Sequence, residues 1–371
     1  MRRFLMLLVL AGIAGLIGFF VITEPDTIRE ASLPNRTPDI KSGERLFFAG
    51  GCASCHAVPA SDKCDDPQYK DKHSLGGGRC LLTPFGTFYA PNISSDKQTG
   101  IGGWTTVQFV NAMKRGVSPN GTHYYPAFPY SSYQRMKIED LIDLKGYMDT
   151  LPAVKSEVPA HDLPLPFRWR RTLGVWKALY LDGKTFAPDP SKSEEINKGA
   201  YLVEGPGHCG ECHTPRNLLG GFDLAKHLAG GPAPEGGGWI PNITPAKDGI
   251  GSWSNADIET LLSSGTTPEY DTVGGSMTAV VRNMSQLKPE DRKAMAAYFE
   301  AAAQASGQAK LCSNWIMGEV SRRLNTQDIG IEAAPALFMR KNMGEMPVGL
   351  AFPEMHDRPG NGWQAGVSLA F

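Results

Sequence analysis

The chain has 371 residues and a formal net charge of −1, from 37 lysines and arginines against 38 aspartates and glutamates. Nucleic-acid binders carry a clustered excess of cationic side chains, so this balance predicts no nucleic-acid partner. Hydrophobic residues make up 41% of the chain and charged residues 20%, which argues against intrinsic disorder and allows two domains or slightly more.

The chain begins with an apolar segment. Residues 4–22 contain no charged or strongly polar side chain, and a helix of that length spans about 28 Å, close to the hydrocarbon core of a bilayer. No Ala-x-Ala cleavage pattern follows Ile22, so a retained transmembrane anchor in residues 1–23 is favoured over a cleaved secretory signal. The positive-inside rule keeps Arg2 and Arg3 in the cytoplasm and exports the remainder.

A pattern of two cysteines closed by a histidine, C-x-x-C-H, occurs twice. Its cysteines and histidines are Cys52, Cys55, His56, Cys209, Cys212 and His213. Thiols at this spacing add across the two vinyl groups of heme, and the adjacent imidazole binds the iron. A thioredoxin-like pair or half a zinc site would not explain a histidine after both copies. The sequence therefore predicts two covalently bound heme c groups, with His56 and His213 as proximal ligands.

Three further cysteines lie outside these motifs. Cys64 and Cys80 flank an insertion after the first motif that has no counterpart after the second. An exported chain folds in an oxidising compartment, so a disulfide between them is predicted. Cys312 is left over, and neither it nor residues 306–371 receives a role.

The flanks of the two motifs repeat at an offset of about 150 residues, which indicates an internal duplication. Pro-Asn-Ile at residues 91–93 recurs at 241–243, and Gly-Ile-Gly-Gly-Trp at 100–104 recurs with one change at 249–253. Each half therefore carries the same elements around its motif.

A short helix signal precedes each motif and a longer one follows each loop. The first contains Gly43 or Gly199, and the second contains Tyr147 or Tyr298. Helix, heme motif, long loop and helix is the order of a class I cytochrome c, in which a glycine lets the first and last helices cross closely under an aromatic side chain. The predicted fold is mainly α, with two tandem class I cytochrome c domains after an N-terminal transmembrane helix.

A proline-rich stretch separates the halves and predicts a linker. Within it, residues 167–171 and 176–180 form a basic, aromatic, helical segment, which would pack between the heme domains or lie at the headgroup level of a membrane. The predicted divisions are an anchor or signal at 1–23, a linker at 24–38, the first domain at 39–155, a linker at 156–191, the second domain at 192–305 and a tail without heme at 306–371.

From about residue 39 to residue 303 the chain resembles the membrane-anchored multiheme c-type cytochromes that serve as electron-accepting subunits of bacterial quinoprotein alcohol dehydrogenases and flavin-dependent sugar-acid dehydrogenases. Residues 88–93, 100–105 and 125–130 carry the resemblance. Those subunits typically have three hemes, whereas this chain has two motifs. They also carry an aromatic segment between domains, which favours packing between the heme domains for residues 167–180.

The distal ligands are predicted to be methionines. Met277 follows a Gly-Gly-Ser loop and precedes the terminal helix, where a thioether can reach the iron, and Met284 is its rival. Related domains carry methionine where the first half has Phe128, and relatives with phenylalanine there commonly carry a methionine at the position of Met136. The resemblance therefore implies Met136 as the first heme's distal ligand, with His123 or an open position as alternatives.

These observations predict a diheme c-type cytochrome that performs one-electron transfer in the periplasm. The chain is expected to be an electron-transfer protein or the cytochrome subunit of a dehydrogenase complex, in preference to an enzyme on its own. It would relay electrons from a periplasmic dehydrogenase or soluble donor to an oxidase, quinone or cytochrome of the respiratory chain. Residues 4–22 would hold it as a single-pass protein of the bacterial inner membrane, with the heme domains facing the periplasm. The alternative is a diheme enzyme, such as a peroxidase or thiosulfate dehydrogenase, with an unusual distal ligand at the first heme.

Overall fold

Helices and two small sheets make up the part of the chain that the computed structural model describes, residues 1–64, 66, 68–233 and 238–305, with side chains to residue 301. The helices are α1 Arg2–Ile22, α2 Ile40–Ala49, α3 Cys52–His56, α4 Thr106–Arg115, α5 Tyr130–Tyr133, α6 Ile138–Thr150, α7 Leu173–Tyr180, α8 Glu194–Glu204, α9 Gly210–His213, α10 Asn255–Ser264, α11 Met277–Met284 and α12 Pro289–Ala305. The predicted mainly α fold is confirmed. Cys312 and the predicted tail at 306–371 lie outside the described residues.

Helix α1 is the one helix in the described part that is long and apolar enough to cross a membrane. Its 21 residues span about 31 Å at the rise of an α-helix, and none of them is buried against the protein. The helix ends at Thr23, whose hydroxyl donates to the carbonyl of Phe19 at 2.7 Å. An apolar helix whose only contacts among the described residues are in its last turn suits a lipid environment.

Two helix crossings organise the two halves, which we define as residues 39–155 and 192–305. Helices α2 and α6 cross in the first half, and α8 and α12 cross in the second. A Cβ atom on Gly43 would lie 2.1 Å from the carbonyl oxygen of Asp143, and one on Gly199 would lie 1.8 Å from that of Ala294. Only glycine allows backbones to approach this closely. The predicted crossings at Gly43 and Gly199 are confirmed.

Capping side chains begin equivalent helices in the two halves. Thr105 and Gln108 form a capping box at α4, and Ser254 and Asp257 form one at α10. In each box the first side chain accepts from a backbone N–H that the helix cannot satisfy, and the second accepts from the backbone in return. The repeated tryptophan motif therefore marks the entry into a helix.

Four short strands form two antiparallel sheets. They are β1 Cys80–Thr83, β2 Gly86–Tyr89, β3 Gly231–Pro232 and β4 Trp239–Ile240. The disulfide between Cys64 and Cys80 is present and ties the insertion of the first half to the start of β1. That prediction is confirmed.

Helix α7 contacts both halves. Lys177 donates to the carbonyl of Arg115 in the first half, and the indole of Trp176 donates to the carbonyl of Leu219 in the second, at 2.7 and 2.9 Å. Its packing between the halves, which the sequence favoured, is confirmed. The segment before α7, residues 167–171, instead contacts the end of α1, where Trp169 packs against Phe19.

Candidate heme sites

The first C-x-x-C-H motif forms a single helical turn, α3, that fixes the orientation of its histidine. Gly51, in the left-handed conformation at φ 56°, lets the chain turn into α3. The Nδ1 atom of His56 lies 2.8 Å from the carbonyl oxygen of Pro91. A carbonyl only accepts, so Nδ1 carries the proton, and Nε2 is the nitrogen that can bind a metal.

The second motif has the same geometry. Nδ1 of His213, at the end of α9, lies 2.9 Å from the carbonyl oxygen of Pro241. The backbone N–H groups of Gly77 and Gly230 donate to the carbonyls of His56 and His213, at 2.8 and 2.7 Å. The repeated Pro-Asn-Ile segments therefore supply the acceptor that fixes the tautomer of each motif histidine.

Burial sets the protonation of the histidine and of the first cysteine in each motif. Burial lowers the pKa of both His56 and His213, which favours the neutral imidazole that binds metals. Burial raises the pKa of Cys52 and of Cys209 to about 12, which favours the protonated thiol of each side chain. Among the described residues no group of three or more His, Cys, Asp or Glu side chains could hold a metal ion.

The predicted distal methionines lie in or beside the core. Met136 is 1% exposed, and Met277 is half-buried at the first position of α11. Met284, the rival of Met277, is 3% exposed at the end of the same helix. Burial alone therefore does not distinguish Met277 from Met284 as the distal ligand of the second heme.

A buried lysine that sequence reasoning missed fixes the backbone at Met136. Lys114 is 4% exposed, and its Nζ donates to the carbonyls of Gln134 and Met136 and to the hydroxyl of Thr185, at 2.6, 2.5 and 3.0 Å. Burial lowers the pKa of Lys114 to about 8. Because Lys114 precedes Arg115 in the sequence, its side chain would be expected to be exposed to solvent. Only the fold brings its three hydrogen-bond acceptors together.

His123, the alternative distal ligand of the first heme, is engaged elsewhere. Its Nε2 lies 3.0 Å from the carbonyl of Thr23 at the end of α1, and its Nδ1 lies 3.0 Å from Nζ of Lys177. Both ring nitrogens therefore have protein partners, and neither is available to an iron. Met136 stays the better prediction.

The bridges between short segments show which residue of the first half is equivalent to Met277. The bridge between Val117 and His123 is repeated between Thr266 and Thr272, and this common offset aligns Phe128 with Met277. The ring of Phe128 packs edge-on against Tyr124, Tyr130 and Tyr133. Phe128 is thus a packing residue at the position where the second half carries Met277.

Each motif is hydrogen-bonded to the opposite half. Asn283 of α11 donates from Nδ2 to the hydroxyl of Ser54 at 2.8 Å. Ser131 and Ser132 of α5 donate to Oε1 of Glu211 at 2.7 and 2.9 Å. Ser54 and Glu211 are the same position of the two C-x-x-C-H motifs, so the two halves meet through reciprocal contacts, as in a two-fold symmetric dimer.

A second pair of reciprocal contacts joins the crossing helices. Arg45 of α2 donates from Nε to Asp291 of α12 at 2.8 Å, and the hydroxyl of Tyr201 in α8 donates to Asp140 of α6. Arg45 and Tyr201 each lie two residues after the crossing glycine of their half. The duplication is therefore preserved in the contacts between the halves as well as within them.

His208, which precedes the second motif, bridges the two motif segments. Its Nε2 lies 3.2 Å from the carbonyl oxygen of Gly50, and its ring packs edge-on against Tyr133 at 5.6 Å between centroids. His208 has a φ of 42°, and Gly51 occupies the matching position with 56°. A left-handed histidine costs about 1 kcal/mol or more, which these contacts offset. No histidine repeats at this position, so the sequence provides no signal for it.

Replacing Glu211 with alanine is expected to destabilise the contact between the halves by about 3 kcal/mol. Glu211 is 8% exposed and accepts from two serines and from Arg216 at 2.5 Å, so alanine would leave two buried hydroxyls without an acceptor and Arg216 without its ion-pair partner. Denaturant unfolding followed by circular dichroism measures the loss. Asp223→Ala, in the exposed pair with Lys226, is the control and should cost less than about 1 kcal/mol. Equal losses would refute this role for Glu211.

Among the relatives of the chain is a protein that is matched over almost its whole length. The chain is 49% identical over 296 residues to a diheme cytochrome c-type protein of Cereibacter sphaeroides, which covers 80% of this chain and 95% of that protein. No protein-family model matches the chain.

Two further relatives are subunits of dehydrogenases. The chain is 36% identical over 266 residues to the fructose dehydrogenase cytochrome subunit of Gluconobacter japonicus, covering 71% of this chain and 52% of that protein. It is 34% identical over 273 residues to the cytochrome c subunit of the quinone alcohol dehydrogenase of Gluconobacter oxydans, covering 70% and 54%. The chain thus spans about half the length of these two subunits.

Proposed function

Because the chain belongs to the diheme c-type cytochromes, we propose that it carries out one-electron transfer in the periplasm and relays electrons from a dehydrogenase or soluble donor toward the respiratory chain. The chain binds two heme c groups covalently, in agreement with its likeness to the diheme cytochrome of Cereibacter sphaeroides. The heme irons supply the one-electron redox chemistry, and the protein supplies binding, orientation and ligands.

The residues that hold the hemes are assigned from the two motifs. Cys52 and Cys55 form the thioethers of the first heme, and Cys209 and Cys212 form those of the second. The motif histidines are the proximal ligands, because the hydrogen bond to a proline carbonyl leaves Nε2 of each ring for the iron. Each half, with its helix crossing at glycine, is a class I cytochrome c domain.

Met136 and Met277 complete the two irons in this proposal. Met277 opens α11 just before the terminal helix, and Met136 is held in the core by the bonds of Lys114 to its backbone. The engagement of both nitrogens of His123 by Thr23 and Lys177 supports a thioether at the first heme. His/Met ligation leaves no open position at either iron and favours electron transfer over substrate chemistry.

Replacing Met136 with alanine is expected to remove the thioether-to-iron charge-transfer signal of one oxidised heme, and replacing Met277 is expected to remove the other. Magnetic circular dichroism of the two variants measures this, and each reduced variant should bind carbon monoxide at one heme. Met284→Ala is the control: it should keep both signals and lose about 3 kcal/mol of stability, because Met284 is buried. An unchanged spectrum in Met136→Ala would show that this assignment is wrong.

The observation that carries the proposed relay is the direct contact between the two motif segments. His208 reaches the carbonyl of Gly50, and Asn283 reaches Ser54 inside the first motif. Electron transfer between redox centres falls steeply with distance, so a protein that packs its two attachment segments against each other suits a relay. The buried Glu211 network holds this arrangement in place.

The partners and the location are proposed from the relatives and from α1. Relatives named as cytochrome subunits of fructose, gluconate and alcohol dehydrogenases support a periplasmic dehydrogenase or a soluble carrier as donor. The acceptor is an oxidase, quinone or cytochrome. Helix α1 makes the protein a single-pass protein of the bacterial inner membrane, with both heme domains on the periplasmic side.

Purification of the tagged protein from its own membranes tests this function. We expect a dehydrogenase to copurify, and its substrate to reduce both hemes of the cytochrome in the isolated complex. Reduction by a soluble periplasmic carrier would equally support the relay. If neither reduces the hemes and the protein instead turns over peroxide or thiosulfate, the relay is refuted in favour of a diheme enzyme.

A further inference from the structure

An exposed apolar loop precedes α7. We call residues 164–171 the juxtamembrane loop. Its side chains at Leu165, Phe167 and Trp169 are 79%, 41% and 55% exposed. Apolar side chains this exposed in one short segment indicate a binding surface more often than a free surface.

The juxtamembrane loop contacts the last turn of α1. The ring of Trp169 lies 5.3 Å from that of Phe19, between centroids. Arg171 donates to the carbonyl of Phe20 at 2.9 Å, to the carboxylate of Glu24 at 2.8 Å and to the hydroxyl of Thr23 at 3.0 Å. The loop therefore lies beside the point at which the apolar helix ends and the polar chain begins.

The rest of the protein holds the loop in this place. A Cβ atom on Gly174, in the helix that follows, would lie 2.5 Å from Cα of Thr23, so the two segments touch through their backbones. Lys177 fixes the same helix to the carbonyls of Arg115 and Gly116, both at 2.7 Å. The exposed side chains are thus presented by a fixed surface.

The charge of the loop has one sign. Arg168, Arg170 and Arg171 lie within it, and residues 163–172 contain no acidic side chain. Arg170 also covers the ring of Tyr125, with the guanidinium 4.7 Å from the ring centroid. Aromatic side chains beside arginines are typical of segments that lie in the headgroup layer of a membrane.

We propose that the juxtamembrane loop is a second membrane contact, in which Leu165 and Trp169 enter the interfacial layer and Arg168 and Arg170 bind anionic lipid headgroups. This proposal rests on the proposed insertion of α1 into the membrane. Phe19 belongs to the last turn of a helix of spanning length, so its neighbour Trp169 lies at the membrane boundary. That continuity identifies the occupant of the surface as the bilayer.

A consequence concerns the orientation of the heme domains. A single helix followed by a linker would let the periplasmic part tilt relative to the membrane. Two contacts, α1 and the loop, restrict this tilt, and both attach to the first half through His123 and Lys177. The protein then presents one fixed side to the membrane and leaves the opposite side to its partners.

Photocrosslinking of the full-length, heme-loaded protein in lipid vesicles tests the proposal. Benzoylphenylalanine replaces Trp169 in one variant, Trp239 in the second half in a control, and Leu10 in a third variant. Trp239 is 72% exposed and Leu10 is 54% exposed, so all three positions are accessible. The vesicles contain equal amounts of phosphatidylglycerol and phosphatidylcholine, and mass spectrometry identifies the adducts.

We expect lipid adducts at positions 169 and 10 and none at position 239. At position 169, phosphatidylglycerol adducts should exceed phosphatidylcholine adducts by about fivefold or more, the factor that one arginine near an anionic surface contributes. Lipid adducts at position 10 without any at 169, or protein adducts at 169, would overturn the loop proposal and leave the anchor intact. Absence of lipid adducts at both positions would overturn the anchor as well.

Discussion

Replacing Cys52 and Cys55 together with alanine is expected to leave one covalently bound heme c per chain instead of two. Without both thiols the first half cannot form thioethers, and His56 alone would not retain the cofactor through denaturation. Intact-mass spectrometry of the denatured protein and the pyridine hemochrome spectrum measure the number of attached hemes. The equivalent change at Cys209 and Cys212 should remove the other heme.

The disulfide cysteines provide the matched control. Replacing Cys64 and Cys80 with alanine removes the same number of cysteines from the first half, and should leave both hemes attached. Closing a loop with a sequence separation of 16 restricts the unfolded chain, so this control should lose about 3 kcal/mol of stability. Two attached hemes in the Cys52 and Cys55 variant, or one in the control, would contradict the assignment.

Replacing Gly199 with alanine is expected to destabilise the second half by about 3 kcal/mol or more. The added Cβ would lie 1.8 Å from the carbonyl oxygen of Ala294 and 3.0 Å from Cβ of Tyr298. The helices α8 and α12 must then separate, and the helix propensity that alanine gains, about 1 kcal/mol, does not compensate. Thermal unfolding and the yield of heme-loaded protein measure the effect, and Gly43→Ala should act alike in the first half.

A tolerant glycine in a repeated motif tests whether this effect is specific. Gly103 has ordinary space around it, since a Cβ there would meet Lys97 no closer than 3.5 Å, and the second half carries Ser252 at the matching position. Gly103→Ser should therefore change stability by less than about 0.5 kcal/mol. A Gly199→Ala variant as stable as Gly103→Ser would show that the helix crossing is not close in solution.

Features that repeat within each half could be predicted from the sequence. The crossings at Gly43 and Gly199 and the order of the helices follow from the spacing of the repeated residues, because the same residues at the same spacing pack in the same way in each half. The disulfide between Cys64 and Cys80 follows from the compartment and from its presence in only one half. The sequence shows that a Pro-Asn-Ile segment repeats in both halves. Only the fold shows that the proline carbonyl of this segment accepts the hydrogen bond that orients each motif histidine.

Features that join distant segments could not be predicted. Glu211 and Ser54 occupy equivalent positions, yet one is a carboxylate and the other a hydroxyl, so comparison of the halves hides their common role. Lys114 finds its acceptors at Gln134 and Met136 only after α4 packs near the loop before α6. From the sequence alone, His123 could be an iron ligand. The structure shows that its Nε2 instead contacts the carbonyl of Thr23 at the end of α1.

The most direct test of the relay is flash photoreduction of the purified protein with less than one electron per chain. Magnetic circular dichroism resolves the two hemes while the electron distributes between them. Packing of the two motif segments through His208 and Gly50 predicts that this exchange is intramolecular, with a rate independent of protein concentration. A rate that rises in proportion to protein concentration, or an electron that stays on the heme it first reduced although the other has the higher potential, would contradict the relay.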